Sequence, residues 1–156
     1  MRSFLLTLML SLTASGAAVA AAPTTGASLY DNNCALCHQQ GGVGSPGQFP
    51  KLSGRIAAVA AKPEGRAYLG QVVLNGMSGK IVVSGTPMMG VMPGFPQLSN
   101  ADVASILNYL TTLPPAGREK VAKFTANEVE KLRKIPMASQ QISTERGKLV
   151  DANVLR

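Results

Sequence analysis

Four stretches of the chain repeat their apolar residues at helical spacing. The most regular one carries the stripe Val103, Ile106, Leu107 and Leu110 behind Ser99, a fitting N-cap residue with Asp102 three positions later. A pair of prolines, Pro114 and Pro115, ends this pattern. The pattern predicts helices over residues 26–36, 55–61, 65–74 and 97–113.

Two segments between these helices have a different pattern. Residues 80–89 contain the β-branched run Ile81-Val82-Val83, the turn signal Ser84-Gly85 and a second short run, which together predict a small β-hairpin. Residues 39–54 are rich in Gly and Pro and have no periodicity, so they predict a loop. The sequence therefore indicates an all-α domain with one short hairpin insertion.

Residues 114–156 form a polar, basic extension with nine Lys and Arg against five Asp and Glu. Thr125 with Glu128 is a capping box that predicts a short helix to about Lys134, and residues 139–150 can form another turn or two. Two interpretations remain. The extension either lies on the preceding domain, partly ordered, or serves as a docking arm for a partner protein.

Residues 1–22 have the pattern of a secretory signal peptide. Arg2 supplies the positive charge, residues 4–12 the apolar region, and Ala18-Val19-Ala20 a small-residue cleavage site before Ala21. The alternative is an uncleaved membrane anchor, but the apolar part is too short to span about 30 Å of hydrocarbon. We therefore expect an exported, periplasmic protein of two further parts, a domain over residues 23–113 and the extension over residues 114–156.

The composition narrows the range of partners. The chain has 156 residues, 46% of them hydrophobic and 4% aromatic, and a formal net charge of +7. No dense run of Lys and Arg is interleaved with aromatic residues, so nucleic acid is not an expected partner. An acidic docking protein fits the charge better. A core with so few aromatic residues would gain buried apolar area from a large planar cofactor.

Both cysteines and the only histidine lie together in the sequence Cys34-Ala35-Leu36-Cys37-His38. Cys-x-x-Cys-His is the attachment pattern of a c-type haem. Two thiols three residues apart lie within about one helical turn, so both can reach the vinyl groups on one porphyrin edge. The histidine that follows can then bind the iron from below.

Three other interpretations of the two cysteines remain open. A thioredoxin-like redox pair would follow a strand in a βαβ unit, and no strand pattern precedes Cys34. A structural zinc site needs four ligands, whereas this cluster offers three and the chain has no second cluster. A plain Cys34–Cys37 disulfide would close a loop too short to constrain much.

Two more residues are candidates for a haem site. Met92, in the Pro- and Gly-rich sequence 90–96, can supply a thioether as the sixth iron ligand, held by a stiff extended loop. Met92 could instead be core filler, and Met88 and Met89 are competing ligands. The Pro50 carbonyl is a natural acceptor for the second ring N–H of His38, although Pro50 could equally belong to an ordinary turn.

Taken together, residues 26–113 resemble the class I cytochrome c family. The matching sequence is Cys34-x-x-Cys37-His38, Pro50-x-Leu52-x-Gly54, Met92-Pro93-Gly94-Phe95, Leu98-Ser99 and Asn108-Tyr109-Leu110, in this order and spacing. The resemblance implies one haem c, with thioether bonds to Cys34 and Cys37 and axial ligands His38 and Met92. It also implies that the Pro50 carbonyl accepts from the imidazole, and that Gly26 and Tyr30 cross the last helix of the domain near Tyr109 and Leu110.

The function implied by this resemblance is single-electron transfer, with one haem edge exposed. The hairpin and the extension are additions to the simplest members, and they look similar to those of cytochromes that serve exported bacterial dehydrogenases. The expected donor is a periplasmic dehydrogenase and the expected acceptor a terminal oxidase or another cytochrome, with membranes reached only through these partners. No nucleophile–base pair or paired carboxylates indicate an enzyme. The main alternative is a haem enzyme or ligand sensor with an open sixth site.

Overall fold

The computed structural model describes residues 24–115 and 120–155, and within them the protein is mostly helical with one antiparallel hairpin. This confirms the predicted fold class. The signal peptide predicted for residues 1–22 lies outside the described residues. The elements are α1 (Gly26–Asn33), α2 (Ala35–His38), a 3₁₀ turn (Gln40–Gly42), α3 (Ile56–Ala60), α4 (Pro63–Asn75), β1 (Met77–Val83), β2 (Thr86–Met92), α5 (Asn100–Thr112), α6 (Ala126–Arg133) and α7 (Ser139–Asp151).

The first helix crosses α5 at very short range, as the resemblance implied. A Cβ atom on Gly26 would overlap the Ser105 carbonyl, so only glycine permits this approach of the two backbones. One turn further along α1, the fully buried Tyr30 ring packs against the Tyr109 ring with 5.4 Å between centroids. The poor helix propensity of glycine is thus offset by close packing.

Helix α5 forms the centre of the core. Its apolar stripe is buried in full, with Val103, Ile106 and Leu107 at 0% exposure. The predicted capping box is present, since the Ser99 hydroxyl accepts from the Asp102 N–H and the Asp102 carboxylate accepts from the Ser99 N–H. This helix confirms the sequence interpretation because local signals and tertiary packing agree.

The helix predicted over residues 26–36 is in fact two helices. The chain bends at Cys34, whose φ of −121° lies outside the helical range, and α2 then continues to His38. Just before the bend, the Asn33 side chain donates to the Leu29 carbonyl at 2.8 Å and competes with the backbone for this acceptor. The prediction of one continuous helix was wrong at this point.

The hairpin is longer than the predicted 80–89 segment. Its turn lies at Ser84-Gly85 as expected, where both φ angles are positive (49° and 80°). The pairing continues past the predicted ends until Met77 lies opposite Met92. Met92 is therefore the last residue of a strand and does not lie in the extended loop that was predicted. The hydrophobic periodicity did not predict the outer ends of the two strands, because glycines and methionines interrupt the apolar alternation there.

The C-terminal extension packs on the preceding domain as two helices. Helix α6 runs against α4 and α5, and α7 runs against α4 and β1. Its fully or nearly buried side chains belong to the same apolar cluster as α5; they are Phe124, Val129, Ile142, Leu149 and Leu155. The helix predicted from Thr125 is present, and the turns expected over residues 139–150 form a helix of 13 residues.

The capping box predicted for this extension is only half formed. The Thr125 hydroxyl accepts from the Glu128 N–H at 3.2 Å. The Glu128 carboxylate, however, accepts from Nε and Nη2 of Arg66 on α4, at 2.9 and 2.8 Å. Because a bidentate pair to a charged donor is stronger than a bond to a backbone N–H, the Glu128 side chain bonds to Arg66 and not to the helix N-terminus.

None of the helices in residues 24–115 and 120–155 has the length and apolar character needed to cross a bilayer.

We expect the extension to contribute to global stability through Ile142. Replacing this fully buried side chain (Ile142→Ala) should lower the free energy of unfolding by roughly 2–4 kcal/mol, because it leaves a cavity in the shared core. The matched control is Ile135→Ala in the same extension, where the side chain is 56% exposed and the expected loss is below about 0.5 kcal/mol. Denaturant unfolding of both variants measures the difference. Equal losses would show that the extension does not share the core.

Candidate functional site

The two thiols and the imidazole lie at the bend between α1 and α2. The bend places Cys34 between the helices, and the short helix α2 carries Cys37 and His38 within one turn of Cys34. Behind them, the Tyr30 hydroxyl donates to the Gln39 carbonyl at 2.7 Å, where the chain leaves α2 with a positive φ of 62°. The buried tyrosine thus fixes the end of the segment that carries all three side chains.

The imidazole of His38 is held in one orientation by the loop that follows. Its Nδ1 lies 2.9 Å from the Pro50 carbonyl, and a carbonyl can only accept, so Nδ1 carries the hydrogen. The other ring nitrogen, Nε2, is then left with a free lone pair. Burial lowers the pKa of His38 below its usual value, and the bond to Pro50 only partly opposes this shift. A buried, neutral and oriented imidazole is the form that binds a metal ion.

Cys34 does not have the lowered pKa of a redox-active thiol. Burial together with the neighbouring Cys37 raises the pKa of Cys34 to about 11. A thiol of this kind is a poor nucleophile at neutral pH, whereas thioredoxin-like pairs have a lowered pKa. A helix precedes Cys34 here, in place of the strand that a thioredoxin-like unit would have. In the described ranges no group of three His, Cys, Asp or Glu side chains could hold a metal ion.

A cavity of about 550 Å³ opens in front of these side chains. All five residues singled out from the sequence line this cavity, namely Cys34, Cys37, His38, Pro50 and Met92. Most of its other walls are apolar, from Phe49 and Phe95 on the loops to Ile81 and several methionines on the hairpin. Its volume is in the range of sites that enclose a whole cofactor.

The hairpin forms the wall opposite α2. Residues directly opposite each other in an antiparallel pair share a face, so Met77 with Met92 and Ile81 with Met88 point to the same side. All four line the cavity. Met89 also borders the cavity, but it is on the other face of β2 and is 77% exposed. Of the two competing ligands considered above, only Met88 therefore shares the face of Met92.

Sequence reasoning missed the side chains of α4 and α7 that contact the hairpin. The Tyr68 hydroxyl on α4 donates to the Met77 sulfur at 3.5 Å, and the buried Arg146 on α7 donates to the Val82 carbonyl at 3.0 Å. Arg146 also lies 3.5 Å from the Tyr68 hydroxyl. No local pattern could have revealed these contacts, because Arg146 is distant in sequence from both partners.

The donor set fits a covalently attached tetrapyrrole. Two thiols and an imidazole lie along one wall, a thioether lies on another, and the space between them is apolar. Soft sulfur donors and a neutral imidazole are ligands that suit iron in haem proteins. A hard cation such as Mg²⁺ or Ca²⁺ would need oxygen ligands, and no Asp or Glu of residues 24–115 and 120–155 lines this cavity.

Comparison with known proteins points to the same cofactor, a covalently attached tetrapyrrole. The family model described as Cytochrome c matches residues 23–114. One cytochrome c-552 of Thermus thermophilus is 46% identical over 145 residues, which cover 92% of this chain and 96% of that relative. A second cytochrome c-552 of Thermus thermophilus is 46% identical over 126 residues, which cover 80% of this chain and 95% of the relative.

A third relative is a subunit of a larger assembly. The cytochrome c subunit of a quinone alcohol dehydrogenase from Gluconobacter oxydans is 29% identical over 109 residues, which cover 69% of this chain and 22% of the subunit. The family match ends at residue 114, but a match over 92% of the chain must extend beyond it. The C-terminal extension is therefore shared with the first relative.

We expect the position of Met92 to depend on Gly76. This residue ends α4 with a φ of 73°, and a Cβ atom there would overlap the Met92 carbonyl. Gly76→Ala should therefore lower the free energy of unfolding by at least about 2 kcal/mol more than Gly85→Ala does. Gly85 is the matched control, since its φ of 80° is similar but its Cβ would meet only open space. Denaturant unfolding gives the comparison, and similar losses would mean that β2 can shift away from Gly76 at little cost.

Proposed function

The chain belongs to the cytochrome c family, and from this premise we propose that it carries single electrons on a haem whose iron is bound by His38 and Met92. Members of this family hold a haem c covalently, and they transfer electrons without being enzymes. The proposal also includes thioether bonds from Cys34 and Cys37 to the haem. A periplasmic location completes the proposal.

One observation carries the ligand assignment. The Nδ1–H of His38 donates to the Pro50 carbonyl, which leaves Nε2 free on the wall of the same cavity that Met92 lines from the hairpin. A thioether is a weak neutral ligand, so it binds best when the backbone places it in advance. The end of β2, paired with Met77, supplies that placement.

The residues of this chain have separable roles in electron transfer. Haem iron, when bound, supplies the one-electron chemistry. His38 and Met92 would bind the metal in both oxidation states, so little has to rearrange when the charge changes. The apolar walls keep water from the ligands and so influence the potential. A sulfur ligand opposite histidine raises that potential.

The exposed side of the cavity offers a place for electron exchange. Leu36 next to the thiols is 90% exposed, and Met89 and Val91 on the outer face of the hairpin are each 77% exposed. These apolar side chains lie beside the cavity, where a partner could approach the cofactor edge. The formal charge of +7 favours a partner that is acidic around its docking surface.

The expected donor is a periplasmic dehydrogenase. Support comes from the dehydrogenase subunits among the relatives, although this chain spans less than a quarter of their length. The acceptor would be a terminal oxidase or another cytochrome. Export follows from the signal pattern over residues 1–22, and it suits a cofactor that is attached outside the cytoplasm. Because the extension buries its apolar side chains in the core, a structural role fits it better than a free docking arm.

Ligation by Met92 is tested by cyanide binding to the oxidised protein. We expect Met92→Ala to bind cyanide more than about tenfold faster than the wild type and to lower the reduction potential, because the sixth site is then open. Met88→Ala and Met89→Ala are the matched controls and should keep the slow rate. Rapid binding by the wild type would favour the alternative, a haem enzyme or sensor with an open sixth site. Slow binding by Met92→Ala but fast binding by Met88→Ala would move the ligand to Met88.

Covalent attachment and export are tested by one mass measurement. Protein recovered from the periplasm should begin at Ala21 and carry the added mass of one haem. The double variant Cys34→Ala/Cys37→Ala should lose the haem band on a denaturing gel, because no thioether bond remains. Each single variant should keep one bond and some of the stain. A wild-type chain without added porphyrin mass would contradict the assignment of both cysteines.

A further inference from the structure

The segment of residues 93–98 follows Met92 directly and leads from β2 toward α5. Two of its six residues are prolines, Pro93 and Pro96, which have no N–H to donate. On its inner side the Phe95 N–H donates to the Val73 carbonyl of α4 at 2.9 Å. The Leu98 N–H closes a turn onto the Phe95 carbonyl at 3.2 Å. With so few bonds of its own, this segment depends on side chains from elsewhere.

One such side chain comes from the C-terminal extension. Arg133, the last residue of α6, donates from Nη1 to the Pro96 carbonyl at 2.9 Å and from Nη2 to the Leu98 carbonyl at 2.8 Å. Its Nε donates to the Asn100 side-chain oxygen at 2.9 Å. A single planar guanidinium thus bridges two carbonyls of the segment and the first residue of α5.

Arg133 lies in the last turn of α6, where the helix dipole favours a positive charge, but this does not explain why its guanidinium contacts residues 96–98. The guanidinium lies at the N-terminus of α5, where the helix dipole disfavours a positive charge. Within residues 24–115 and 120–155, no carboxylate forms an ion pair with Arg133. The three directed hydrogen bonds therefore account for its position, and two of them end on the backbone of the segment.

We propose that Arg133 is a positioning residue for Met92: it holds residues 96–98 in place, so that the preceding thioether stays on the iron. The proposal rests on the His38/Met92 ligation proposed above. It assigns to the C-terminal extension, which lies beyond the family match, a direct part in the stability of the axial ligand. Loss of these bonds would let the segment move and the thioether leave more often.

The chain contains a matched control for this idea. Arg66 also fastens the extension, through the Glu128 carboxylate, the Ala122 carbonyl at 2.7 Å and the Phe124 ring at 3.9 Å. It attaches the extension to α4, and its hydrogen bonds within the described part of the chain all end outside residues 93–98. Arg66 is also less exposed than Arg133, so its loss should cost at least as much global stability.

The test compares cyanide binding to the oxidised holoprotein in the wild type, Arg133→Gln, Arg133→Lys, Arg66→Gln and Met92→Ala. We expect Arg133→Gln to bind cyanide at least about threefold faster than the wild type. Arg133→Lys should also bind faster, because an ammonium keeps the charge but cannot hold both carbonyls with one planar group. Arg66→Gln should keep the wild-type rate although it lowers the denaturant midpoint as much or more.

Each contrary result is decisive. Equal acceleration in Arg133→Gln and Arg66→Gln would show that the extension acts only through global stability. A wild-type rate in Arg133→Lys would show that the positive charge alone matters. A wild-type rate in Arg133→Gln would show that residues 96–98 do not need these hydrogen bonds. Either result would overturn the positioning role. If the wild type already binds cyanide as fast as Met92→Ala, Met92 is not the ligand and both proposals fail. A slow wild type with an equally slow Arg133→Gln removes only the role of Arg133.

Discussion

The hydrogen bond from His38 to the Pro50 carbonyl is the contact on which the site depends. It joins α2, which carries Cys37 and His38, to the loop that contains Pro50, at 2.9 Å. It also fixes the tautomer, so that the free ring nitrogen can serve as a ligand. Without this bond, a lone histidine on a helix of four residues would have several orientations. The rest of the fold places walls around this one fixed imidazole.

Three separate parts of the chain support those walls. The α1–α2 bend carries the two cysteines, and Tyr30 packs against Tyr109 behind it. The hairpin carries the thioethers and is backed by Tyr68 and Arg146. Helix α6 of the extension holds the segment that follows Met92. A weak ligand such as a thioether can stay bound when all of these parts are rigid together, because little entropy is then lost on binding.

The C-terminal extension has a different character from that suggested by its composition. Its charge and polarity are typical of a mobile arm, yet its few apolar side chains are placed to complete the core beside α4 and α5. Arg133 donates to backbone carbonyls of the preceding domain, and Arg66 of that domain donates to the Glu128 carboxylate. A basic segment can therefore be an integral part of a small domain when its charged groups have directed partners. This arrangement leaves the exposed apolar rim of the cavity on the side of Leu36 and Met89.

Much of this protein could be predicted from local sequence. The Cys34-x-x-Cys37-His38 spacing is the attachment pattern of a c-type haem, and such a pattern is recognised from neighbouring residues alone. The Ser99 cap and the stripe of α5 follow from periodicity, and the structure confirms them. The signals are short-range in each case, so the residues that form them are neighbours along the chain.

Only the tertiary structure decided where the distant groups meet. The bend at Cys34, the extension of the hairpin to Met77 and Met92, and the diversion of Glu128 from its cap to Arg66 each depend on a partner outside the local pattern. The bridge from Arg133 to Pro96 and Leu98 likewise joins residues more than 30 positions apart. A sequence pattern reports what a segment favours by itself. Which of several possible hydrogen bonds it finally makes is set by the groups that packing brings within reach.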